Sequence, residues 1–206
     1  MANTQKSILY FSPQEKKDLI ISWLTLSLAF AIMISPAFLN ISNLLISIPI
    51  ALLAVGTGFV LHELAHREMA KHYGFHSEYR AWYGGLVVAL GLAIISGGQF
   101  LFAAPGATYF LADKVSRKQN GIISAAGPIT NLVLGVILLI LASSIKESFL
   151  HTLFLYAGQI NFWFALFNLL PILMLDGSKV FAWNKAIWGI LITISAIFVF
   201  FPGIIF

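Results

Sequence analysis

The chain carries five apolar runs of about twenty residues, and their number and length leave it few folds to choose from. A helix needs about 20 predominantly apolar residues to cross the hydrocarbon of a bilayer. Residues 19–39, 44–66, 122–144, 152–175 and 186–206 each read as such a span. Hydrophobic residues make up 59% of the 206 and charged residues only 10%, against about 25% charged in soluble domains. These proportions predict an all-α polytopic membrane protein with about five to six transmembrane helices. The charged loops are too short to fold alone, so residues 1–206 read as a single membrane-embedded domain. The first run is too long for a signal-peptide core and reads as a retained span.

A sixth apolar stretch, from Gly84 to Pro105, is rich in glycine and is either a further crossing or a re-entrant or hairpin segment. The twelve Lys and Arg residues help to decide. If the stretch dips in and returns, eleven of them face one compartment and only Lys146 the other; a full crossing splits them seven to five. Basic loops gather on the cytoplasmic side, which favours re-entry in a cell-membrane protein whose basic loops face the cytoplasm. The net charge of +4 is accordingly read as loop cations meeting the lipid bilayer, not as a nucleic-acid surface.

Two carboxylates sit where lipid should forbid them. Glu63 lies within His62-Glu63-Leu64-Ala65-His66, at the end of the second span, and Asp176 ends the fourth. Intramembrane ionisable groups are costly and mark functional sites. The other six acidic residues fall in polar segments or at span ends, and Arg67 opens a charged loop. Positions i and i+4 share a helix face, so His62 and His66 can direct two imidazoles at one cation while Glu63 stands beside them. Cysteine is absent, so any metal must use His, Asp or Glu. Catalytic zinc commonly takes three protein ligands, and Asp176 is the best third candidate. Its alternative is a helix C-terminus capped by Gly177, where an acid is electrostatically misplaced. A single zinc with Glu63 as general base and acid supports amide hydrolysis by metal-activated water.

These motifs, together with Gly127-Pro128-Ile129-Thr130-Asn131 and Asn168-Leu169-Leu170-Pro171 leading to Leu175-Asp176-Gly177, resemble the site-2 protease family of intramembrane zinc metalloproteases. The resemblance runs from about residue 42 to 185, with a catalytic core of about 42–180. It implies His62, His66 and Asp176 as zinc ligands, Glu63 as catalytic acid/base, and transmembrane segments of other membrane proteins as substrates, cut near the cytoplasmic side. It also implies re-entrant or strand-like structure between the first two motifs. The chain has no room for the PDZ or CBS domains of larger relatives.

Asn131 and Asn168 are amides at membrane depth that could contact substrate or an oxyanion; helix–helix hydrogen bonding is the plainer role. Pro171 could kink its helix and swing Asp176 inward. Pro49 reads as a simple kink. His72 and His76 read as solvated loop residues, and His151 as remote. Two other functions also use buried His, Asp and Glu. A transporter would usually show paired repeats with midplane groups, and an inactive scaffold would have no need of Glu63.

Overall fold

The computed structural model describes residues 10–35, 40–111, 114–172 and 174–201. The ends of the first and last expected spans (36–39 and 202–206), and Asp113, lie outside the described residues. The chain opens with α1 (Pro13–Ile34), started by a Ser12 hydroxyl cap on the Glu15 N–H and by Pro13 in the first turn. A long rod follows, built of α2 (Ile41–Val55), a π-helical turn (Gly56–Val60) and α3 (Leu61–His72). Next come β1 (His76–Ala81), α4 (Tyr83–Ile95) and β2 (Gly106–Leu111), then α5 (Arg117–Ser143), α6 (Phe149–Asn168), α7 (Asp176–Trp183) and α8 (Lys185–Phe200). Polar side chains cap the starts: Asn40 for α2, Ser148 for α6, Asn184 for α8, and a reciprocal Ser116–Gln119 capping box for α5.

Among the described residues, three helices are long and apolar enough to cross a bilayer: Pro13–Ile34, Ile41–His72 and Arg117–Ser143. α6 has 20 residues, but His151, Gln159 and Asn161 dilute its apolar character. Large apolar side chains point outward in stripes, Ile20, Leu24 and Leu28 on α1 and Val133, Ile137 and Ile140 on α5. An aqueous fold would tend to bury contiguous stripes of this kind; a bilayer accepts them.

Three features depart from the expected all-α layout. First, β1 and β2 pair antiparallel, from His76 opposite Leu111 to Ala81 opposite Gly106. The stretch from Gly84 to Pro105 therefore leaves this sheet and comes back to it, closed by the Trp82 N–H on the Pro105 carbonyl at 2.8 Å. Within it α4 has 13 residues, about 20 Å of helix against about 30 Å of hydrocarbon. Gly97 and Gly98, with φ of 63° and 82°, turn the chain back.

Second, Arg67 does not open a loop. α3 continues to His72, and Arg67 is 1% exposed, with Nε 2.8 Å from Glu15 Oε1 and its guanidinium 3.9 Å above the Phe11 ring. Glu15 and Asp18, expected in a polar segment, are likewise buried. Their carboxylates accept the outward-facing N–H groups of Tyr79 (3.1 Å) and Ala81 (3.3 Å) and so cover the outer edge of β1. The Tyr79 hydroxyl donates to the Pro105 carbonyl at 2.9 Å, beside Ser22. Burial holds that hydroxyl well above the ordinary tyrosine range, opposed by its Ser22 hydrogen bond, so it remains a donor.

Third, the fourth expected span does not run to Leu175. α6 stops at Asn168, and Pro171 lies in the irregular link that follows. A proline cannot supply the N–H that continuation needs. Asp176 therefore opens α7 and sits at the positive end of a helix dipole, the reverse of the expected misplacement. Gly177 is not a left-handed cap. A Cβ there would stand 2.0 Å from the Leu169 carbonyl oxygen, so glycine permits the close return of the chain over the end of α6.

Candidate metal centre

His62 and His66 lie one turn apart on α3, and Asp176 reaches them from the start of α7. The three ligand atoms form a tight triangle: 3.0 Å between the two Nε2 atoms, 3.2 Å from His62 Nε2 to Asp176 Oδ2, and 3.0 Å from His66 Nε2 to the same oxygen. Ligand atoms at about 2.0–2.1 Å from a tetrahedral zinc stand about 3.3 Å apart. The separations match that spacing to within a few tenths of an ångström. All three ligands are largely shielded, with side-chain exposures of 4%, 9% and 13%.

The hydrogen bonds behind the rings decide what the triangle is. His66 Nδ1 faces the Ile123 carbonyl at 2.7 Å. A carbonyl only accepts, so this nitrogen carries the proton. His62 Nδ1 faces Asn131 Oδ1 at 2.5 Å. The Asn131 amide nitrogen is committed to the Gly58 carbonyl (2.8 Å) and to Asn161 Oδ1 (3.1 Å), which fixes its oxygen toward the histidine. Asn161 is fixed in turn by donating to the Ala157 carbonyl and to Thr57 Oγ1, each at 2.8 Å. The Thr57 hydroxyl donates in turn to the Leu53 carbonyl at 2.8 Å. In the neutral imidazole each Nε2 is therefore a bare acceptor. Two lone pairs and a carboxylate oxygen converge with no proton of their own between them. Such a cluster calls for a cation, and the donor set of two imidazoles and one carboxylate suits zinc.

Local sequence explains how this is built. The π-helical turn before His62 takes backbone carbonyls out of the usual ladder, and Gly58 is the one that Asn131 captures. Gly127 on α5 lets the ligands approach: a Cβ there would lie 2.5 Å from His66 Nε2 and 2.6 Å from His62 Nε2. Beyond the triangle, Lys179 Nζ is 3.6 Å from Asp176 Oδ1 and donates to the Met174 carbonyl at 3.1 Å.

The structure thus brings together His62, His66 and Asp176, a group that could hold one metal ion. Glu63 stays outside that trio, and its carboxylate accepts from Thr108 on β2. Asn131 is fully buried behind His62, its oxygen on His62 Nδ1. Asn168 donates to the Phe164 carbonyl of its own helix at 3.0 Å. Sequence reading missed Asn161 and Thr57. Asn161 had a signal, since it is an amide within an apolar helix like Asn131; Thr57 and Thr108 had none.

No family model matches the chain, and no solved structure matches it. The chain is 42% identical, over 185 residues, to a protein of Methanocaldococcus jannaschii that bears the name "Putative zinc metalloprotease MJ0611". The matched region covers 89% of this chain and 92% of the relative.

Proposed function

The chain belongs to the same family as that Methanocaldococcus jannaschii protein, and from this premise we propose that it is a zinc-dependent intramembrane endopeptidase of the site-2 type. It cleaves transmembrane segments of other membrane proteins near the cytoplasmic side. The observation that carries this reading is the triangle of His62 Nε2, His66 Nε2 and Asp176 Oδ2, whose three atoms are all acceptors when the imidazoles are neutral and both Nδ1 atoms carry the proton.

His62, His66 and Asp176 hold the metal. A bound zinc supplies a Lewis acid that acidifies water and polarises a carbonyl. Glu63, not spent as a ligand, takes the proton from the attacking water and delivers it to the leaving amine. Asn131 and the Ile123 carbonyl keep the two imidazoles in the tautomer that presents Nε2.

The excursion between β1 and β2 supports a re-entrant reading, with five spanning segments (α1, the α2–α3 rod, α5, α6 and α8) and the basic loops facing the cytoplasm. A substrate helix bonds all its amides internally, so it must unwind before a peptide bond is exposed. The outer edge of β1 is covered by Glu15 and Asp18, and the outward N–H of Thr108 on β2 is taken by Glu63, so an unwound substrate pairs as an added strand only with the stretches of the β2 edge that flank Thr108.

The test is cleavage of a panel of single-span reporter proteins by the purified chain and by Glu63→Gln in liposomes, with zinc measured on both. Cleavage by the wild type alone, with equal zinc in the two samples, is the expected result. Equal cleavage by both, or a well-folded wild type that binds no zinc, would overturn the reading.

A further inference from the structure

Glu63 is held by a residue far away in sequence. Thr108, in the middle of β2, donates its backbone N–H to Glu63 Oε2 at 2.9 Å. Its hydroxyl lies 2.8 Å from the same oxygen and 3.1 Å from the Glu63 carbonyl. No described residue donates to the other carboxylate oxygen, Oε1.

The strand register makes this contact possible. Thr108 stands opposite Tyr79. The Tyr79 N–H leaves the sheet on the far side to meet Glu15 Oε1, and the Thr108 N–H leaves on the near side to meet Glu63 Oε2. The pair is therefore of the non-hydrogen-bonded kind, in which both amides point away from the partner strand. A slip of one residue would turn the Thr108 side chain to the opposite face and aim its N–H into the sheet.

We infer that Thr108 is the positioning residue for Glu63: its amide and hydroxyl pin Oε2, leaving Oε1 as the oxygen that exchanges protons with the reacting groups. This inference rests on the peptidase reading above. A glutamate has three side-chain torsions, and a carboxylate free to rotate spends much of its time misdirected. Bonds from two donors to one oxygen fix both its place and its rotation, and bonds to a charged acceptor are the stronger kind. Threonine suits the task because its β-branched side chain is at home in a strand while its hydroxyl supplies the second donor.

Thr108→Val keeps the shape, the strand preference and the amide but removes the hydroxyl; Thr108→Ser restores the hydroxyl. Reporter cleavage is to be measured with kcat and KM separated, alongside zinc content. Amide exchange at Thr108 is to be compared between the wild type and Glu63→Ala. The expected result for Thr108→Val is a kcat lowered about tenfold or more, with KM and zinc unchanged and most of the rate recovered in Thr108→Ser. The Thr108 amide should exchange about tenfold faster or more once its Glu63 acceptor is gone. A Thr108→Val enzyme within twofold of wild type in kcat, or a KM effect alone, would overturn the role. If no reporter is cleaved even by the wild type, the peptidase reading is what fails. The exchange comparison still decides whether Thr108 holds Glu63.

Discussion

Asn131 Oδ1 stands 2.5 Å from His62 Nδ1, and the amide nitrogen of the same side chain is anchored on Gly58 and Asn161. The orientation of one imidazole is thus set by a chain of hydrogen bonds that runs through α5 and α6 and ends on the Leu53 carbonyl of α2. Replacing Asn131 by Ala should lower zinc affinity by about 10- to 100-fold, the usual effect of losing such a partner. Chelator competition on the folded protein measures it. Unchanged affinity would mean that the His62 tautomer is set elsewhere.

Gly127 offers a steric test of the same centre. A Cβ at this position would come within 2.6 Å of both Nε2 atoms, closer than real contacts allow. Gly127→Ala should therefore reduce zinc occupancy severely while circular dichroism still reports a helical fold. Gly91→Ala is the control, since nothing lies within 4 Å of its added methyl and alanine favours helix by about 1 kcal/mol. Equal zinc in the two variants would argue that the ligands do not close on Gly127.

The grouping of His62, His66 and Asp176, which could hold a metal ion, was legible in the sequence because its chemistry is local or costly. His62 and His66 are one helical turn apart, and Asp176 is an acid that apolar surroundings leave unexplained. The helices were legible from apolar runs. The boundaries near Asp176 were not, because Leu169–Leu175 is apolar whether helical or irregular, and only packing against Gly177 shows where the helix ends. The hairpin was hidden for a different reason. Its strands are short, and the partners that cover β1 are two acids on α1, about sixty residues earlier. Arg67 misled for a related cause: a guanidinium in a charged segment reads as solvated until Glu15 and Phe11 are found beside it.

That buried pair gives a stability prediction. Removing one member of a buried ion pair leaves an uncompensated charge and costs about 3–5 kcal/mol, whereas replacing both by apolar residues is often neutral. Arg67→Met should therefore lower the thermal unfolding temperature markedly and loosen β1, whose Tyr79 amide depends on Glu15. The double variant Arg67→Met with Glu15→Met should recover part of that loss. Additive losses in the double variant would show that the pair does not act as a unit.

Cleavage should depend on how easily the substrate unwinds. On the proposed reading the substrate pairs with the β2 edge beside Thr108, and it can do so only when extended, because strand pairing requires N–H and C=O groups that a helix keeps for itself. Breaking the substrate helix in advance removes part of that cost. Introducing Gly or Pro into the transmembrane segment of a cleaved reporter, near the cytoplasmic end, should raise kcat/KM several-fold. Alanine at the same position should leave it unchanged or lower it. Rates compared across such a series in liposomes, with insertion verified for each reporter, provide the measurement. If no helix-breaking substitution at any position accelerates cleavage, unwinding is not limiting and strand addition at β2 is not the mode of capture.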